Sequence, residues 1–184
     1  MGFTAPMPRL FVALRPPSDV RDLLIDTMEP PAAARWQDED QLHLTLRFIG
    51  EVDRRQAEDI AAALGRVPLR PFRVEIAGTG HFARGHQPNA IWARVLPSPE
   101  LAALRTSVER ACLAAGLPPE TRAFTPHITI ARLTRVSPPV GQWLARHADL
   151  KAAWQTEHFA LYESHLTPAG AAYEEVARFP QRDR

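Results

Sequence analysis

His43-Leu44-Thr45-Leu46 and His127-Ile128-Thr129-Ile130 are two copies of one pattern, a histidine and a threonine interleaved with aliphatic residues, one in each half of a 184-residue chain. The second copy begins 84 residues after the first (127 − 43). Side chains in a strand alternate between faces, so Leu42, Leu44 and Leu46 point one way while His43, Thr45 and Arg47 point the other. In the second copy Ile128 and Ile130 are buried, and His127 and Thr129 are presented together about 6.6 Å apart along the strand. Two such strands facing each other enclose a cleft.

Working outward, Arg9 to Leu14 form a short apolar run that reads as a strand. A helix follows from Ser18, with Val20, Leu23, Leu24 and Met28 at helical spacing. Asp53 with Gln56 resembles a capping box opening a helix over Ala57, Ile60, Ala61 and Leu64, with Gly65 as its C' residue. Strands are expected at 72–77 and 90–96, with a rim loop from Gly78 to Asn89 between them. Ser98 and Pro99 suit the N-cap and N1 positions of a helix ending at Gly116. A strand at 126–133, a short helix at 140–147 and strands near 155–163 and 172–179 complete the chain. Strands that follow one another directly favour an α+β protein with antiparallel pairing over a doubly wound parallel sheet.

Composition narrows the function. Hydrophobic residues make up 45% and charged residues 23%, an ordinary globular balance, and the length predicts a single domain over 1–184. Prolines cluster in short groups such as Pro16-Pro17, Pro30-Pro31, Pro118-Pro119 and Pro138-Pro139, as punctuation between elements. A net charge of +1 is too small for a protein that grips long nucleic acids through many phosphates, so a nucleic-acid substrate would be met locally. Lys151 is the one lysine among 22 basic residues. Nearly all positive charge is therefore guanidinium, which suits phosphate and cannot act as an amine nucleophile. The single Cys112 excludes an internal disulfide, the N-terminus lacks a signal-peptide pattern, and no apolar run is long enough to span a membrane; cytoplasmic location is expected.

An imidazole and a hydroxyl from each copy supply proton-transfer groups with an unperturbed pKa of about 6.5 and neutral donors for phosphate oxygens. Phosphodiester cleavage needs that set: a base for the attacking oxygen, an acid for the leaving oxygen and donors for the phosphoryl charge. A lone strand histidine is most often a satisfied structural residue; recurrence of the whole unit weighs against that here. Arg47 faces the reactive side by parity, although a rim charge or salt bridge is an equal reading. Phe48 reads as core. Phe82, between His81 and His86 in the expected loop, suits either base stacking or a lid. His158 and His165 differ in parity around Tyr162, and neither motif has metal-ligand spacing, so no metal and no cofactor are expected.

With these residues in hand, the chain resembles the two-histidine (2H) phosphoesterase superfamily, and within it the RNA 2',3'-cyclic phosphodiesterases often labelled 2'-5' RNA ligases. The likeness rests on His-Leu-Thr-Leu-Arg-Phe-Ile-Gly at 43–50 and Phe-Thr-Pro-His-Ile-Thr-Ile-Ala-Arg at 124–132. Arg-Leu-Phe-Val-Ala-Leu at 9–14 and Leu-Tyr-Glu-Ser-His-Leu at 161–166 support it. One departure is Asp40, where the family's proline before the first motif strand is expected. The resemblance implies a bilobal, pseudo-two-fold fold, two antiparallel sheets flanking a central cleft with helices outside. It further implies His43 as proton donor to the leaving 3' oxygen and His127 as base for water, with Thr45, Thr129 and Arg132 on the phosphate. The implied substrate is RNA with a 2',3'-cyclic phosphate terminus, such as tRNA fragments or short oligonucleotides, and the product a 2'-phosphate. The expected molecule is a monomer. With no nucleophilic lysine site and no phosphate loop, any 2'-5' joining would be the ATP-independent reverse reaction. A small cyclic nucleotide or 2'-5' oligoadenylate would fit the same four residues, as would a binding module for RNA ends.

Overall fold

The computed structural model describes residues 7–28, 34–133, 140–167 and 170–180. Pro30-Pro31 and Pro138-Pro139 lie outside these. Among the described residues, nine strands and four α-helices run in the order β1 (Arg9–Leu14), α1 (Ser18–Ile25), β2 (Ala34–Trp36), β3 (Leu44–Glu51), α2 (Arg54–Leu64), β4 (Phe72–Arg84), β5 (Gln87–Val95), α3 (Pro99–Ala114), β6 (His127–Leu133), α4 (Val140–Arg146), β7 (Lys151–Thr156), β8 (Phe159–Thr167) and β9 (Gly170–Phe179).

All recorded pairings are antiparallel. The strand order is β7-β4-β5-β6-β3-β1-β8-β9, with β2 added beside β6. The sheet divides naturally in the middle, because β6 and β3 are joined by one residue pair, Leu44 with Ile128. On each side of that seam stand four strands of the main order, with β2 a fifth on the β6 side, so the expected two antiparallel sheets are found as halves of one ladder. Each motif histidine is one residue from the seam pair, which is how the repeat meets itself across the molecule.

The order also sets a curvature. β7 and β8 lie six strand spacings apart, about 29 Å in a flat sheet, yet only Glu157 and His158 separate them in sequence. Three Cα steps span at most about 11 Å. The sheet must therefore bend round until its β7 edge approaches β8.

One apolar core runs through both halves, from Leu10, Val12, Phe159 and Leu161 to Val74, Ile76, Val95 and Trp154. α3 packs against α2 and touches both β3 and β4. Ser98 caps α3 by accepting from Leu101 N, with Pro99 in the first turn. The helix closes in a Schellman arrangement, Gly116 N donating to Leu113 O and Leu117 N to Cys112 O, with Gly116 at φ +87°. α2 starts as expected, Asp53 accepting from Gln56 N, but Gly65 stays right-handed at φ −60°. It ends the helix without the left-handed turn.

Two expectations are corrected. Residues 78–89 are not a loop: β4 and β5 continue as a hairpin to a two-residue turn between Arg84 and Gln87. Gly85, at φ +62°, takes the first central position, where such turns favour glycine. The expected strand at 155–163 is two strands broken at Glu157-His158, where the Thr156 hydroxyl donates to His158 O. Neither residue is a usual turn former, so the break left no mark in the composition.

Candidate active site

Each motif histidine is fixed by the carbonyl two residues before it. His43 Nδ1 lies 2.7 Å from Gln41 O, and His127 Nδ1 lies 2.6 Å from Thr125 O. A carbonyl can only accept, so each Nδ1 carries the proton, and Nε2 is the nitrogen free to exchange one in the cleft.

The segments ahead of the two motif strands are braced differently. Before β3 a single 3-10 turn, Glu39–Gln41, is closed by a reciprocal box: Gln41 N donates to Asp38 Oδ1 and Asp38 N to Gln41 Oε1. The Gln41 amide also donates to Ala171 O on β9. Asp40, the departure from the family pattern, occupies this turn and pairs with Arg15. Ahead of β6, Arg47 braces residues 118–120, binding Pro118 O at 2.6 Å and Glu120 at 3.0 Å. Its Nε stands 3.0 Å from Glu109 Oε2, close enough to pair although not aligned as a hydrogen bond. Arg47 is buried and absent from the cavity between the histidines, so its parity-based place on the reactive face is corrected. Phe48 takes that place.

The physical reason is a β-bulge. Against β1, Thr45 pairs with Ala13 and Arg47 with Val12, so Leu46 is the extra residue and alternation is reset there. β6 does the same one residue past its own threonine: Thr129 pairs with Trp92 and Ala131 with Ile91, leaving Ile130 extra. Position +5 from each histidine is thereby returned to the cleft. That position is Phe48 in one strand and Arg132 in the other. Plain alternation would have turned Arg132 away.

His43, Thr45, His127, Thr129 and Arg132 all line one cavity of about 320 Å³. Arg9 and Arg35 join Arg132 in its wall, and no described carboxylate lines it. The site is built for an anion. His43 packs between Phe11 and Tyr173, with ring centroids 4.8 and 5.2 Å away, and His127 lies edge-on to Phe82 at 4.7 Å with Trp92 at 5.9 Å. Trp92 reaches this position by crossing Gly80, where an added Cβ would come within 2.2 Å of the indole.

Burial among these rings lowers both histidine pKa values, His43 to about 4, against smaller opposing effects of the Gln41 and Thr125 carbonyls. The Arg132 guanidinium pushes both the same way. Both shifts favour the neutral imidazole at pH 7.

The sequence reading missed the two residues packing against His43, Phe11 and Tyr173, and the turn residue Gln41. Phe11 and Tyr173 carried no signal beyond strand membership, but Asp38 and Gln41 have capping-box spacing and could have been found. Phe82 is in the site, on β4 rather than in a loop. His165 pairs with Glu174 instead, His158 sits at the β7-β8 break, and Lys151 is exposed at the start of β7. Among the described residues, no group of three or more His, Cys, Asp or Glu is placed to hold a metal ion. No helix among them is long and apolar enough to cross a membrane.

Paired strands presenting His-x-Thr units to a cationic cleft define the two-histidine phosphoesterase class. The chain belongs to the 2'-5' RNA ligase superfamily, whose family description matches residues 16–168. It is similar to the RNA 2',3'-cyclic phosphodiesterase of Aeropyrum pernix, 33% identical over 159 residues, which cover 84% of this chain and 89% of that protein. The Thermus thermophilus protein of the same name is 34% identical over 185 residues, covering 95% and 90%. Among solved structures, Escherichia coli LigT complexed with 3'-AMP superposes with a TM-score of 0.78 at 25% identity, covering 94% of this chain and 97% of that one.

Proposed function

We propose that the protein opens RNA 2',3'-cyclic phosphate ends to 2'-phosphomonoesters by acid-base catalysis between His43 and His127. The observation that carries this reading is the matched pair of imidazoles, each with Nδ1 tied to a main-chain carbonyl, across a cavity that also holds two threonines and Arg132. The relatives named above act on the same kind of end. We take residues 1–184 as one bilobal catalytic unit, supported by the core that runs through both halves.

Neutral His127 removes a proton from water as the oxygen attacks phosphorus. The bond from phosphorus to the 3' oxygen breaks, and protonated His43 gives that oxygen its proton, leaving the phosphate on the 2' oxygen. Thr45, Thr129 and Arg132 bind the phosphoryl oxygens as charge builds on them. Because burial keeps His43 neutral, the substrate's own negative charge supplies the field that raises its pKa and loads the acid. An RNA 5'-hydroxyl in place of water would give a 2'-5' bond by the same steps, without ATP.

The test is a short RNA ending in a 2',3'-cyclic phosphate, incubated in EDTA without ATP. Conversion to a 2'-phosphate end is expected, with His43→Ala and His127→Ala each slower by about 10³-fold or more. No conversion by the wild type, or activity that needs added zinc or manganese, would overturn the reading.

A further inference from the structure

The cleft does not end at His127. A second depression, of about 370 Å³, lies beside the first and shares Thr45, Phe48 and His127 with it. It starts at His127 and Phe82 and extends to Phe124. There the Arg105 guanidinium, carried on α3, stands 5.1 Å from the centre of the Phe124 ring.

The charges along this groove are not equivalent. Arg47 is held by Glu109 and Glu120, and Arg122 by Glu120 at 2.8 Å. Arg105 has no carboxylate partner among the described residues; its one recorded contact is the aromatic face. A guanidinium without a carboxylate partner, beside a half-buried aromatic ring, presents charge for a phosphate next to a stacking surface for a base. That alternation is the repeat of single-stranded nucleic acid.

We propose that the groove is a subsite for the nucleotide on the 5' side of the one that carries the cyclic phosphate, with Phe124 receiving its base and Arg105 a phosphate of the chain. This rests on the function proposed above and extends it: the protein distinguishes an RNA end from a free cyclic mononucleotide. A mononucleotide held by its phosphate between the histidines has no second base or upstream phosphodiester to place in the groove. Continuity with the central cavity makes the occupant a further part of the same substrate.

The experiment compares a nucleoside 2',3'-cyclic phosphate with a trinucleotide ending in one, using wild type, Arg105→Gln, Phe124→Leu and, as a control outside the groove, Arg110→Gln. Wild type should prefer the trinucleotide in kcat/KM, and that preference should fall about tenfold in each groove variant, the size of one lost stacking or phosphate contact. Arg110→Gln should keep it. A preference that is absent in wild type, or unchanged in both groove variants, would overturn the subsite. Calorimetric Kd values for the 2'-phosphate-ended trinucleotide and for a nucleoside 2'-monophosphate judge the groove without turnover. If neither cyclic substrate is hydrolysed, the proposed reaction fails, while tighter trinucleotide binding that is lost in Arg105→Gln still supports the subsite and equal binding overturns it.

Discussion

At the scale of the residue, His43 and His127 were legible because a repeated histidine-threonine unit is hard to attribute to packing. Their protonation was not. An unperturbed imidazole titrates near pH 6.5, but rings from β1, β4, β5 and β9 strip water from these two, and the strands that bring those rings are far away in sequence. A histidine whose pKa is lowered holds fewer protons at neutral pH than in the unfolded chain, so the working acid form becomes scarcer as pH rises. The kcat/KM profile, which reports the free enzyme, should be bell-shaped with its maximum below pH 6.5 and should decline steadily from pH 6 to 8. The kcat profile, which reports the loaded enzyme, should have its alkaline limb displaced upward by the bound phosphate. Nuclear magnetic resonance of the histidine rings checks the same point directly: His43 should titrate near 4 in the free protein and higher with a 2'-monophosphate bound. A free-state value at or above 6.5 would contradict the packing argument.

At the scale of the element, most strands and helices followed from alternation, caps and periodicity. The bulges at Leu46 and Ile130 did not, because both residues are buried and aliphatic like the strand positions around them. Arg132 could be assigned through resemblance but not through parity, and Arg47 and Phe48 exchanged places for the same reason. Gly80 gives an element-level test. Gly80→Ala places a methyl group against the Trp92 ring, and overpacking of this kind costs about 1–3 kcal/mol. Thermal denaturation should show that loss. Activity should fall further than stability explains, since Trp92 is one of the rings beside His127. Arg47 offers the complementary case. Removing its charge leaves Glu109 and Glu120 without their buried partner, a loss of about 3–5 kcal/mol for pairs of this type. In Arg47→Met the 118–125 segment should loosen, which hydrogen exchange of those amides would report.

At the scale of the whole molecule, the halves are interleaved in sequence: β1 and β3 come from the start of the chain and β8 and β9 from its end, with β4 to β7 between. The repeat announced two halves but could not reveal this threading, which depends on which strand edges meet. Trp143 Nε1 adds a further long-range tie by donating to Thr27 O, 116 residues away in sequence. Unfolding should accordingly be one cooperative event. All four tryptophans, at 36, 92, 143 and 154, lie on β2, β5, α4 and β7, away from the β3-β1-β8-β9 side. Their fluorescence reports one half while far-ultraviolet circular dichroism reports both, so coincident urea transitions are expected and separated ones would show independent halves. The seam at Leu44 and Ile128 and the two-residue passage from β7 to β8 join those halves at two places. A jaw hinged at one end must swing to catch its substrate; a frame fastened at two does not. The aperture between the histidines is thus set before any substrate arrives, and scattering from the free and the 2'-monophosphate-bound protein should give the same radius of gyration.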